Sequence, residues 1–186
     1  ITTSGGGALV SDNPTDISEA KFLSTQAKEN EPFYEHKKIG YNYKLSNILA
    51  SIGVAQLKIL NNRVNKRRKN YAFYYELLKD VKGVTFLSEP NGYFSNRWLT
   101  CILINKKICG LSVDQIISEF EEAKIETRRL WKSMHMQPIF KNNPFYGSGV
   151  SNILFERGIC LPSGSNMDKN DKRRIKNKLT KIFTIK

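Results

Sequence analysis

The chain has 186 residues, 40% hydrophobic and 25% charged, enough for one domain with a real core plus part of a second. That composition excludes fibrous and disordered classes, and no apolar run approaches the roughly 20 residues of a membrane span. The formal charge is +13, which leaves anionic partners open.

Residues 1–11 read as strand, glycine turn, strand, because Ile1-Thr2-Thr3 is β-prone, Gly5-Gly6-Gly7 permits a turn and Ala8-Leu9-Val10 is apolar. Asp12-Asn13-Pro14 signals a turn, and a short helix is expected from Thr15 to about Gln26. Residues 28–38 are polar, carry Pro32 and read as loop. Ser46 is a good N-cap. A single long helix is expected after it, since Leu49, Ile52, Gln56, Leu60, Val64, Tyr71, Tyr75 and Leu78 recur at helical spacing. The basic cluster Arg63, Lys66, Arg67, Arg68 and Lys69 lies mostly off that stripe and reads as a solvated face rather than a nucleic-acid site.

Gly83 ends the helical pattern. Val84 to Leu87 and Trp98 to Ile104 read as strands around the loop Pro90-Asn91-Gly92. Ser112 and Gln115 have capping-box spacing, which predicts a helix to Ala123 with Val113, Ile116, Ile117 and Phe120 on its inner face. Ile125 to Arg128 reads as a short strand. Residues 131–149 are aromatic, proline-bearing and irregular. A short helix is expected at Ser151 to Arg157, leading to Gly158-Ile159-Cys160-Leu161-Pro162. A last helix starts near Met167, with Asp168 and Asp171 in its first turn and lysines toward its end, the polarity the helix dipole favours. The pattern predicts an α/β sandwich with a short, largely antiparallel sheet.

The residues offer few conventional centres. His36 and His135 are the only two histidines, with no ligand spacing to cysteine, so no metal site is expected. The glycine run lacks the following Lys-Ser/Thr of a phosphate loop, and no serine sits in a nucleophile elbow. Cys101, Cys109 and Cys160 form no CxxC pair; the expectation is reduced thiols in a cytoplasmic protein without a secretory leader. Two polar-aromatic patches remain, one around Tyr41-Asn42-Tyr43-Lys44 and one from Glu126 to Pro138.

Those patches carry a resemblance. Residues 39–57, Ile-Gly-Tyr-Asn-Tyr-Lys-Leu-Ser-Asn-Ile-Leu-Ala-Ser-Ile-Gly-Val-Ala-Gln-Leu, are very similar to a signature of the DegT/DnrJ/EryC1/StrS sugar aminotransferases. Ile1-Thr2-Thr3-Ser4-Gly5-Gly6-Gly7 resembles the segment that follows the Schiff-base lysine there. Residues 126–138 and 157–164 resemble the branch acting on UDP-linked 4-keto-6-deoxy sugars. The resemblance implies the C-terminal part of a fold type I transferase that uses pyridoxal phosphate: residues 1–45 ending the large domain, 46–80 a long connecting helix and 81–186 the small domain. It also implies a homodimer with shared active sites, an amino donor that is glutamate and a UDP-linked keto sugar as acceptor.

By residue, the resemblance assigns Asn42 to the cofactor phosphate and Tyr41, Lys44, Arg128, Trp131 and His135 to the substrate. From the residues alone, Asn42 also suits a turn ahead of the Ser46 cap, and Arg128 also suits an ion pair with Glu126 or Glu122. Lys44 stands where arginine is usual, which loses the bidentate fork for phosphate. Arg129 stands where proline is usual. No lysine matches the Schiff-base position, which is expected upstream of Ile1, so the chain reads as part of a longer protein and as inactive by itself. The other reading kept open is a basic module without catalysis that binds nucleic acid or another polyanion. A gene product that folds without any activity is the third.

Overall fold

A computed structural model describes residues 1–185. Its contacts divide the chain into two compact units, Ile1–Asn61 and Asn62–Lys186.

In the first unit, helix α1 (Pro14–Ser24) starts where Asn13 accepts a hydrogen bond from the Thr15 amide at 3.0 Å and proline occupies the first turn. Helix α2 (Asn47–Lys58) is capped by Ser46, whose Oγ accepts from the Leu49 amide at 3.3 Å. The strand pair expected over residues 1–11 does not form. Ser4 takes φ 67° and Gly6 φ 112°, and Thr3 Oγ1 donates to the Gly5 carbonyl at 2.6 Å. The glycines thus fold the chain on itself instead of extending it for pairing.

The single long helix expected after Ser46 is two helices, α2 and α3 (Leu60–Leu78). Ile59 leaves helical geometry at φ −107°, ψ 5°. A β-branched residue followed by Asn61-Asn62 is a weak stretch for a helix, since asparagine side chains compete for the backbone's hydrogen bonds.

The second unit holds most of α3 and a four-stranded antiparallel sheet of order β1-β2-β4-β3. The strands are β1 (Val84–Phe86), β2 (Thr100–Ile104), β3 (Arg128–Arg129) and β4 (Gly158–Leu161). Helices α4 (Lys106–Cys109), α5 (Val113–Glu122), α6 (Val150–Arg157) and α7 (Lys169–Phe183) complete the unit. The expected capping box of α5 is present, with Ser112 and Gln115 exchanging bonds of 3.2 and 2.8 Å. A second box, Asp168 with Asp171, opens α7.

Strand ends shift from their expected places for local reasons. Arg97 turns the chain at φ 49°, so β2 begins at Thr100 rather than Trp98. The Ile125 amide bonds back to the Phe120 carbonyl at 2.9 Å, which finishes α5 and delays β3 to Arg128. Residues 131–149 contain two short 3₁₀ turns, Met134–Met136 and Pro138–Phe140.

The core forms where one sheet face meets the helices. Ile102 and Ile104 from β2 and Ile159 and Leu161 from β4 pack with Tyr74 and Leu78 of α3, Ile116 and Phe120 of α5, and Ile175 and Leu179 of α7. Alternation along a strand sends the intervening residues, Cys101 and Cys160 among them, to the other face.

Candidate functional site

The first patch is built by the end of α1. The Tyr41 amide donates to the Leu23 carbonyl at 2.7 Å, the Gln26 amide to Tyr41 at 3.0 Å, and the Tyr43 and Lys44 amides to Ser24 at 3.0 and 3.2 Å. Asn42 and Thr25 form an antiparallel bridge. Gln26 and Ala27 turn the chain at φ 69° and 49°. Gly40 lies so close to the Ala27 backbone that a Cβ would strike it. The His36 Nδ1–H donates to the Gln26 carbonyl at 3.0 Å, which closes the loop before this segment.

Pinned this way, Tyr41 and Tyr43 stack with ring centroids 5.2 Å apart. Alternation along an extended segment sets Asn42 toward the opposite side from the two rings. Asn42 and Lys44 are both exposed. An amide NH₂ held on a fixed backbone is a neutral donor suited to a phosphate oxygen, and a lysine nearby adds charge without a fork.

The second patch lies in the second unit, on the sheet face away from the core. A hollow of about 560 Å³ is lined by Trp98, Glu126, Arg128, Arg129, Trp131 and Cys160, with neighbouring residues of the same segments. Trp98 and Trp131 face each other at 5.8 Å between centroids. Arg128 is exposed and pairs with Glu126, Nε to Oε1 at 2.7 Å. An aromatic wall beside an exposed guanidinium is suited to a flat ring and an anionic group of one ligand.

The far wall of this hollow is held by α3. Tyr74 Oη donates to the Pro162 carbonyl at 2.7 Å and Asn70 Nδ2 to the Gly164 carbonyl at 2.9 Å. Burial pushes the Tyr74 phenol up from its ordinary value, so it stays a donor. The buried Ser163 accepts from the Thr100 amide and donates to the Leu161 carbonyl, both at 2.8 Å.

The structure therefore brings Arg128 and Trp131 together. His135 is not among the residues lining this hollow. It stacks on Phe145 at 3.7 Å, and its buried Nε2 has no partner among the described residues. Tyr41, Asn42 and Lys44 belong to the first unit.

Arg129 has a structural task. Its guanidinium pairs with Asp114 and donates to the Phe155 and Glu156 carbonyls at 3.2 and 3.1 Å, satisfying orphan acceptors at the end of α6. Trp98 and Cys160 were not singled out from the sequence. Their shared neighbourhood arises from the β2–β4 pairing, which no local motif announces. Among the described residues no group of three His, Cys, Asp or Glu side chains is placed to hold a metal ion, and no helix is long and apolar enough to cross a membrane.

Known proteins share this sequence and shape. EpsN of Bacillus subtilis (strain 168), whose name describes it as a candidate pyridoxal phosphate-dependent aminotransferase, is 46% identical over 98% of this chain and 47% of its own length. GDP-perosamine synthase of Vibrio cholerae is 28% identical over 98% of this chain and 50% of its own. The fold matches Helicobacter pylori PseC, an aminotransferase involved in the biosynthesis of pseudoaminic acid, at a TM-score of 0.84 and 22% identity, over 99% of this chain and 50% of that one. The chain thus spans about half the length of the curated relatives it matches. The model of the DegT/DnrJ/EryC1/StrS aminotransferase family matches residues 1–180, and the chain belongs to that family.

Proposed function

We propose that these residues are the C-terminal part of an aminotransferase that moves an amino group from glutamate to the 4-keto carbon of a UDP-linked 6-deoxy sugar, for surface polysaccharide or glycoprotein synthesis. The observation that carries this reading is the family match through residues 1–180, backed by the 46% identity to EpsN. Relatives named as transaminases of UDP-linked amino sugars support the sugar-nucleotide class. One, the UDP-4-amino-4,6-dideoxy-N-acetyl-beta-L-altrosamine transaminase of Campylobacter jejuni (serotype O:23/36), is 38% identical over 40% of this chain. The GDP-perosamine synthases support nucleotide sugars more broadly, so UDP is the finer part of the proposal.

Pyridoxal phosphate, when bound, supplies the electron sink that lets an amino group pass between donor and acceptor. In the dimer, the Asn42 amide would donate to the phosphate of the cofactor held by the partner subunit, and the fixed backbone at Thr25 and Asn42 fits that task. Tyr41 and Lys44 sit beside it and contact the substrate. Arg128 holds the nucleotide's diphosphate, and Trp131 and His135 wall the sugar-nucleotide site.

The domain partition, 1–45, 46–80 and 81–186, and a homodimer with shared active sites form part of the same proposal, as does a cytoplasmic location. Exposed Ile48, Val54 and Leu57 on α2 support self-association.

Calorimetric titration with a UDP-sugar tests the reading. Selective binding that weakens on Arg128→Ala and Trp131→Ala is expected. No binding of any sugar nucleotide, with steeply salt-dependent binding of RNA instead, would favour the basic module.

A further inference from the structure

Two cysteines that lie 59 positions apart in sequence face each other across the sheet. Cys101 on β2 and Cys160 on β4 are register partners, and their Sγ atoms are 3.6 Å apart. A disulfide needs about 2.05 Å between sulfurs and Cα atoms within roughly 4.4–6.8 Å, which directly opposed antiparallel residues satisfy. Small side-chain rotations bring the sulfurs into bonding range without moving a strand.

The surroundings favour chemistry at this pair. Cys160 lines the hollow beside Trp98, Arg128 and Trp131, and Arg128 is its register partner on β3. The hydrogen bond from Cys101 and then the charge of Arg128 lower the Cys160 thiol from its ordinary value, against the effect of burial. Cys101 is raised as the donor of the pair. Cys109 is elsewhere, with its thiol directed to the Leu111 carbonyl at 3.5 Å.

We propose that Cys101 and Cys160 form a reversible thiol–disulfide exchange site on the outer face of the sheet, oxidised by small-molecule disulfides of the glutathione type. The Cys160 thiolate attacks one sulfur of the disulfide R–S–S–R. The S–S bond breaks, and the leaving R–S⁻ takes a proton. Cys101 then loses its proton and attacks Sγ of Cys160 in the mixed disulfide, expelling the second R–S⁻, which is protonated. The protein dithiol gives up two electrons and two protons, and R–S–S–R becomes two R–SH. Excess reducing thiols return the bond to the dithiol by the same exchange in reverse.

The chain carries an internal reporter. Its two tryptophans, Trp98 and Trp131, both border this hollow, so tryptophan emission reads the floor directly. The native reduced protein is incubated with glutathione disulfide, quenched by alkylation and mapped by mass spectrometry, with emission followed alongside. The expected result is a Cys101–Cys160 cross-linked peptide and loss of two of the three alkylatable thiols. Cys109 stays modifiable, the emission shifts, and dithiothreitol restores both signals. Cys101→Ser should stop at a glutathione adduct on Cys160, and Cys109→Ser should behave as the wild type. Wild-type protein should also retain one equivalent of a dithiol-bridging trivalent arsenical, a readout that needs no variant. Three thiols still alkylatable under oxidant, a cross-link through Cys109 or between chains, or no arsenical retention would each overturn the proposal.

Discussion

Gly158→Ala isolates the effect of space where α6 passes into β4. Gly158 has φ −94° and ψ 139°, a backbone conformation that any residue adopts, so alanine meets no conformational penalty there. The obstacle is steric. A Cβ would collide with Leu130, whose side chain can yield, and would lie 2.5 Å from the Leu154 carbonyl oxygen, which belongs to helical backbone and cannot. Either β4 moves away from α6 or the last turn of α6 opens. The Leu130 amide bond to the Gly158 carbonyl at 3.2 Å is strained with it. Overpacking of this kind costs about 1–3 kcal/mol. At about 4 °C per kcal/mol for a domain of this size, the melting temperature falls by roughly 4–12 °C. Thermal unfolding followed by circular dichroism reads the change. A variant that melts with the wild type would refute the close approach of β4 to α6.

Three further outcomes are expected. Phe120→Ala removes a side chain with no exposure at the centre of the core, and it should cost about 3–5 kcal/mol in urea unfolding with an unchanged slope. Ser112→Ala removes one arm of the α5 capping box; a loss of about 0.5–2 kcal/mol is expected, and an unchanged urea midpoint would contradict it. Hydrogen bonds from Arg68 and from the Ser95 amide, with the charges of Arg68 and Arg97, hold the Glu89 carboxyl down at about 2. Its contribution is complete above the ordinary carboxylate value and is lost as pH falls toward 2. The stability gap between wild type and Glu89→Gln should therefore shrink between neutral pH and pH about 3, and a constant gap would sink this reading.

What was legible in the sequence follows from what acts locally. Ser46 and Ser112 announce helix starts because a cap bonds a backbone amide about three residues on, whereas Asp168, expected inside the first turn of the last helix, is its cap. The stripe of Val113, Ile116 and Phe120 announces a buried face for the same reason, and all three are buried. The break at Ile59 was not legible, since the apolar stripe continues across it. Nor was the irregular course of residues 1–11, because β-prone residues form a strand only when a partner accepts them. The candidate site divides similarly. The Tyr-Asn-Tyr segment and Arg128 stand out by their motifs, while Trp98 and Cys160 join the hollow through pairing of β2 with β4. The role of Arg129 on the carbonyls of α6 depends on a contact 26 positions away.

The proposed activity is tested most directly by a transamination assay on the protein expressed from its complete reading frame. Glutamate is supplied with a UDP-linked 4-keto-6-deoxy sugar, pyridoxal phosphate is present, and amino-sugar and 2-oxoglutarate formation are followed together. The account predicts both products in equal amounts, with Asn42→Ala weakening retention of the cofactor. An intact, cofactor-loaded protein that forms neither product from any nucleotide-linked keto sugar would contradict it.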